Sequence, residues 1–221
     1  MKRIDNKNGF TMIELIMVII VLGILAALAI PRMDRDRKQE AADTILSDIR
    51  YAQHMAINDY REKPGDDKWQ RTFWQVKIEN CANGSGMFIM VGADKDQGGD
   101  LDKVETAIDP ANGKYMFWDN SDCSDVTDNT VSQNIFLTKK FGVESIEGKG
   151  ACDGIKHIGF DHLGRPHVSF SNSNNPDYST YMTETCIFKF TIKGYEDNEN
   201  NISIAIEPET GYAYIVDQNA S

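Results

Sequence analysis

The chain has 221 residues, with 23 basic and 34 acidic side chains and a formal net charge of −11. Hydrophobic residues make up 41%, enough for a packed core in one domain with an appendage or in two small domains. The negative field repels nucleic acid and anionic headgroups, so nucleic acid is not an expected partner; a cation or a basic protein suits it better.

Residues 1–9 run against this average, with Lys2, Arg3 and Lys7 against Asp5. From Phe10 to Ile30 the chain is apolar with one charge, Glu14. As a helix this run measures about 31 Å, close to the hydrocarbon thickness of a bilayer. An ordinary secretory signal would explain the basic start and Ala27-Leu28-Ala29, but the run is long for a signal core and contains a carboxylate. A plain membrane anchor has no reason to carry Glu14, which costs about 2.5–3.5 kcal/mol at mid-bilayer.

The stretch Lys7-Asn8-Gly9-Phe10-Thr11-Met12-Ile13-Glu14 resembles the type IV prepilin motif. The resemblance implies cleavage between Gly9 and Phe10 by a prepilin peptidase, which also N-methylates the new Phe10 amine. It gives Glu14 an assembly role: neutralising the N-terminal amine of a neighbouring subunit. A charge in lipid is tolerable when an opposite charge meets it there. Gly9 leaves the backbone open to an enzyme. Pro31 stands where pilin helices commonly carry a proline. The implied organisation is a leader at 1–9, a transmembrane helix at 10–30, an amphipathic continuation at 31–63 and an extracytoplasmic β-rich domain at 64–221. Implied partners are the inner membrane and other pilin or pseudopilin subunits. Lysine and arginine counts either side of the span, three before and four after, do not fix orientation.

Beyond Pro31 the pattern predicts helix over 32–61. Ala42, Ile45, Ile49, Ala52 and Ala56 form one apolar stripe, with charges on the other faces and Pro31 as a candidate kink. Lys63-Pro64-Gly65-Asp66-Asp67 breaks it.

After residue 68 the pattern turns to short β-rich runs. Expected strands are Phe73–Ile78, Met87–Val91, Tyr115–Trp118, Ile135–Thr138, Ile155–Phe160, His167–Phe170, Ile187–Ile192, Ile202–Ile206 and Tyr212–Val216. Asp161–Pro166 and Pro208–Gly211 read as turns, and 119–134 and 171–184 as surface loops. No internal repeat is evident. Ser47–Ile57, Ile158–Pro166 and Ile202–Tyr212 resemble the helix, strand-and-turn and closing-hairpin motifs of the GspH/FimT group of minor pilins and pseudopilins. The implied fold is α+β, a long N-terminal helix packed on antiparallel sheets.

Asp94–Glu105 is a twelve-residue acidic loop. Against the EF-hand pattern, Asp94, Asp96, Asp102 and Glu105 fall at positions 1, 3, 9 and 12, and Gly99 at the turn position 6. Asp100 completes the candidate calcium ligands. Gly98 offers no side chain at position 5, and a β-like run precedes the loop where an EF-hand has a helix; the competing reading is a solvated acidic turn.

Cys81, Cys123, Cys152 and Cys186 are even in number and widely spaced, which reads as two disulfides in an oxidising compartment with three pairings open. His157, His162 and His167 lack the further ligands of a zinc site and read as strand and turn histidines. Trp69, Trp74 and Trp118 read as core or subunit-contact residues. No nucleotide-binding or nucleophile-elbow motif occurs, so no enzyme is expected. The expected function is a subunit of a type II secretion pseudopilus or a type IV pilus. A DNA-binding minor pilin of a competence pilus is the second reading, weakened because no Lys or Arg follows Lys193. A secreted periplasmic protein is the third.

Overall fold

The computed structural model describes residues 11–63, 65–193 and 201–216, with the side chains of 27–36 outside that set. The chain divides into two units, Met1–Gln39 and Glu40–Ser221. Helix α1, Met12–Asn58, supplies residues to both, and its helical assignment continues through Pro31. It ends at Asn58, short of the expected 61–63.

In the first unit, every large apolar side chain from Met12 to Leu25 is more than half exposed, from 52% at Ile16 to 86% at Met12. Among the described residues no helix is long and apolar enough to cross a membrane. Both ends of the expected span, Phe10 and the side chains of 27–30, lie outside those residues.

In the second unit, the helical stripe is buried as its spacing predicts: Ala42, Ile45, Ile49, Ala52 and Ala56 all lie in the core. Truncating Ile45, which is fully buried, removes packing worth about 2–5 kcal/mol. The helix is also tied by polar side chains. Arg50 Nη2 donates to the Ala213 carbonyl at 2.7 Å, and Tyr51 Oη to the Ile108 carbonyl at 3.1 Å. Gln53 Nε2 donates to the carbonyls of both Gly164 and Thr210 at 2.8 Å.

Two four-stranded antiparallel sheets complete this unit. The strands are β1 (Trp74–Asn80), β2 (Met87–Gly92), β3 (Val143–Gly150), β4 (His157–Phe160), β5 (Pro166–His167), β6 (Cys186–Ile192), β7 (Asn201–Ile206) and β8 (Ala213–Ile215). The sheet orders are β2-β1-β4-β5 and β3-β6-β7-β8. Alternation places Phe188 and Phe190 opposite Ile204 and Ile202, all buried, so the register is fixed by the core face. The turn before β8 needs Gly211: its φ is +64°, and a Cβ there would collide with the Gly164 carbonyl and Gln53 Nε2.

Several expectations need correction. Ile135–Thr138 is not a strand. It is a 3-10 turn, Gln133–Ile135, followed by helix α2, Leu137–Phe141, closed by Gly142 in the left-handed region. Ile135, Leu137 and Phe141 are buried, and a short apolar run does not declare its period. Tyr115–Trp118 forms isolated bridges, Tyr115 to Ile108 and Val131, rather than a strand. The expected strand His167–Phe170 shrinks to β5, because Ser169 takes φ +57°. Strand β3 was absent from the expectations: its sequence, Val-Glu-Ser-Ile-Glu-Gly-Lys-Gly, is that of a polar edge strand.

The cysteines pair Cys81–Cys123 and Cys152–Cys186, with Cα separations of 5.7 and 5.0 Å. The first pins the 119–130 loop beside the β1–β2 turn; the second joins the end of β3 to the start of β6.

Candidate functional site

The N-terminal candidates fall at the start of α1. Gly9 and Phe10 lie outside the described residues. Glu14 Oε2 accepts from the backbone N–H and the hydroxyl of Thr11, both at 3.1 Å, and Glu14 N–H donates back to Thr11 Oγ1 at 3.3 Å. This is a capping box: each side chain satisfies a backbone donor of the other residue. The carboxylate also sits where the helix dipole favours negative charge. Thr11 therefore shares the site with Glu14, and the Thr-x-x-Glu spacing ahead of an apolar run was the signal for it.

The acidic loop follows β2. Asp94 and Glu105 are buried and Asp96 is exposed, and one carboxylate oxygen from each lies within 4.8 Å of the others. Backbone N–H groups hold them. Asp94 accepts from Gly98 at 3.0 Å and Gly99 at 2.8 Å. Glu105 accepts from Lys95 at 2.6 Å, Asp96 at 3.1 Å and Asp102 at 3.0 Å. Burial pushes the Asp94 carboxyl up, and Asp96 and Glu105 push it the same way against the Gly98 and Gly99 donors. Oxygens around a calcium ion at about 2.3–2.6 Å stand at most about 5 Å apart, so this hard-oxygen set fits that cation.

Asp100 and Asp102 are not in the cluster. Asp100 meets Lys77 Nζ at 3.1 Å with its side chain 95% exposed. Asp102 is exposed and precedes a 3-10 turn, Lys103–Glu105. The EF-hand analogy fails at Asp102 because the loop closes in a tight 3-10 turn over its own last three residues. Arg71 ties the loop to a distant segment, donating to the carbonyls of Gln97 at 3.2 Å and Ser173 at 2.8 Å.

A second acidic loop carries a repeat that the sequence reading missed. Residues 119–130 read Asp-x-Ser/Thr four times, as Asp119–Ser121, Asp122–Ser124, Asp125–Thr127 and Asp128–Thr130. Asp119, Asp122 and Asp128 each accept the N–H two residues on, at 3.2, 2.8 and 2.9 Å. These are Asx turns, and they stiffen a loop with little regular secondary structure. All three carboxyls are held low: Asp119 by the Ser121 hydroxyl, Asp122 by that of Ser124, and Asp128 by Lys103.

Asp48 on α1 was also missed, because a carboxylate in a helical charge pattern reads as solvated. It is half-buried, and burial together with Asp109 pushes it up to about 8, with Lys140 opposing. Burial alone would raise Asp109 too, but the Ser132 hydroxyl, the Ala111 N–H and the Asn134 and Asn112 amides hold it low.

The histidines do not converge. His157 meets Ser171 Oγ at 3.3 Å, while buried His167 lies between Thr180 Oγ1 at 3.0 Å and Asp161 Oδ2 at 3.5 Å. Burial would raise Asp161, yet His167 and Arg165 hold it at about 2. Trp69 and Trp74 are buried, and half-buried Trp118 packs edge-on against Phe136 at 5.2 Å.

Residues 4–30 match the family described as the prokaryotic N-terminal methylation motif. The chain is also similar to the type II secretion system core protein G of Escherichia coli (strain K12), with 33% identity over 49 residues. That match covers 22% of this chain and 34% of the relative, so the chain spans about a third of the curated relative it matches. No solved structure matches.

Proposed function

We propose that this chain, type IV pilin-like at its N-terminus, is a minor pilin or pseudopilin that works by assembly rather than catalysis. The observation that carries the reading is the methylation motif over 4–30, whose helical part from Met12 to Leu25 presents a row of exposed apolar side chains. An apolar surface of that extent belongs against lipid or other helices. In this reading residues 10–30 cross the inner membrane, and a prepilin peptidase cuts between Gly9 and Phe10 and methylates Phe10. The β-rich domain stands in the periplasm or in an extracellular fibre, where its disulfides suit the redox conditions. Glu14 leaves its capping box with Thr11 to meet a neighbouring subunit's amine. The fibre is a type II secretion pseudopilus or a type IV pilus, and the chain a member of the GspH/FimT group.

Mass spectrometry of the mature chain from membranes tests this. The expected first residue is N-methylated Phe10. A start near Ile30 would sink the proposal in favour of a secreted protein. A gel shift at low salt is expected to show no DNA binding.

Convergence of three carboxylates favours a second role for the domain, calcium binding by Asp94, Asp96 and Glu105. Calcium would relieve the repulsion around Asp94. The expected outcome is a calorimetric binding heat and a melting temperature that falls with chelator, both lost in Asp94→Asn. No heat and a melting point indifferent to chelator would end the idea.

A further inference from the structure

Three Asn-Gly steps occur, at Asn8-Gly9, Asn83-Gly84 and Asn112-Gly113; the first lies outside the described residues. In such a step the glycine nitrogen, unshielded by a side chain, can reach the preceding carboxamide. The fold treats the other two oppositely. Asn112 Nδ2 donates to Asp109 Oδ2 at 2.9 Å and to Ser132 Oγ at 2.8 Å, while its Oδ1 accepts from Lys114 N–H at 3.0 Å. The nucleophile is tied as well, because Gly113 N–H donates to the Asp109 carbonyl at 2.8 Å.

Asn83 and Gly84 are exposed in the turn between β1 and β2, with φ of +56° and +67°. A Cβ on Gly84 or on Gly113 would meet nothing within 4 Å and both steps are exposed, so access does not separate them; the hydrogen bonds that tie Asn112 and Gly113 do. The Asn83 carboxamide hydrogen-bonds to the exposed Asp122 carboxylate.

We propose that Asn83 is a site of spontaneous deamidation and isoaspartate formation, and that Asn112 is protected from it. The Gly84 nitrogen bonds to Asn83 Cγ and gives up its proton. The Cγ–Nδ2 bond breaks, and ammonia leaves with that proton. Water then opens the resulting five-membered imide at either carbonyl, leaving an aspartyl or isoaspartyl residue; water is the one co-reactant and no electrons change hands. The product places a new carboxylate against Asp122. The isoaspartyl form also adds a backbone atom beside Cys81, whose neighbour Ala82 donates its N–H to the Asn120 carbonyl at 2.9 Å. The turn and the first half of the 119–130 loop are therefore altered together.

The test is to incubate the full chain in detergent at mildly alkaline pH in oxygen-18 water, then map peptides by mass spectrometry. The Asn83 peptide is expected to gain labelled acid on the order of tenfold faster than the Asn112 peptide, with the isoaspartyl isomer in excess. Equal rates, or no conversion at Asn83, would overturn the proposal. In Asn83→Gln, whose longer side chain closes a ring far more slowly, the gain should vanish; a persisting gain in that peptide would also refute it.

Discussion

Two loops of this protein are rich in aspartate, and they handle the charge in opposite ways. In 94–105, three carboxylates turn towards one point, two of them buried, and backbone N–H groups hold them there against their mutual repulsion. In 119–130, each of three carboxylates closes its own turn two residues on, and they stay apart. The first arrangement concentrates negative potential where a cation could collect it. The second spends each charge on local rigidity. Composition alone does not separate them, nor does the Asx turn, since Asp96 also accepts the Gly98 N–H at 2.8 Å; burial and convergence do.

The comparison can be broken most severely at Glu105. Glu105→Ala strands three backbone donors beneath a buried side chain, and the expected loss is about 3 kcal/mol in denaturant unfolding. A loss below about 1 kcal/mol would mean that the donors find water instead. The second loop depends on its covalent anchor. Replacing Cys81 and Cys123 together by serine is expected to cost about 2–4 kcal/mol. It should also free the amides of 119–124 to exchange with solvent, while those of 94–105 stay protected.

A pH series sharpens the contrast between inward and outward carboxylates. Asp48 has a folded pKa of about 8 against an ordinary 3.8, so its contribution is full below pH 3.8 and is lost as pH rises through 8. Asp48→Asn is expected to raise stability at pH 8 by about 1–3 kcal/mol and to leave it unchanged near pH 3. Asp161 has the opposite sign: held at about 2, it stabilises above the ordinary carboxylate range and that contribution disappears as pH falls through 2. The smallest effect is expected from Asp122→Asn in the outward loop. Its unfolding midpoint should not move measurably, since an amide oxygen accepts the same Ser124 N–H.

The legible parts of the fold were those with a strong period. The α1 stripe from Ala42 to Ala56 and the alternation along β6 and β7 have one face committed to the core, and sequence carries that commitment directly. Strand β3 had no such face to show, since its solvent side and two glycines hide it. The run from Ile135 to Thr138 was apolar but too short to reveal a helical period. In the acidic loop, spacing found Asp94, Asp96 and Glu105, which meet. The loop's other candidates do not join them: Asp102 stands exposed at the head of the tight turn, and Asp100 points out to Lys77. Cysteine pairing depended on which loops the sheets bring together, a long-range fact that residue order does not encode.

Gln53 joins two turns to the helix. One amide group donates to the Gly164 turn and to the Thr210 turn, segments that lie far apart in the chain, and Gly211 must stay bare for all three to meet. The two turns thus share a single latch on α1, and neither can open while it holds. In native-state hydrogen exchange they should behave as one cooperative unit with the helix. A Gln53→Ala chain would then uncouple them into two separate opening events, each at its own rate.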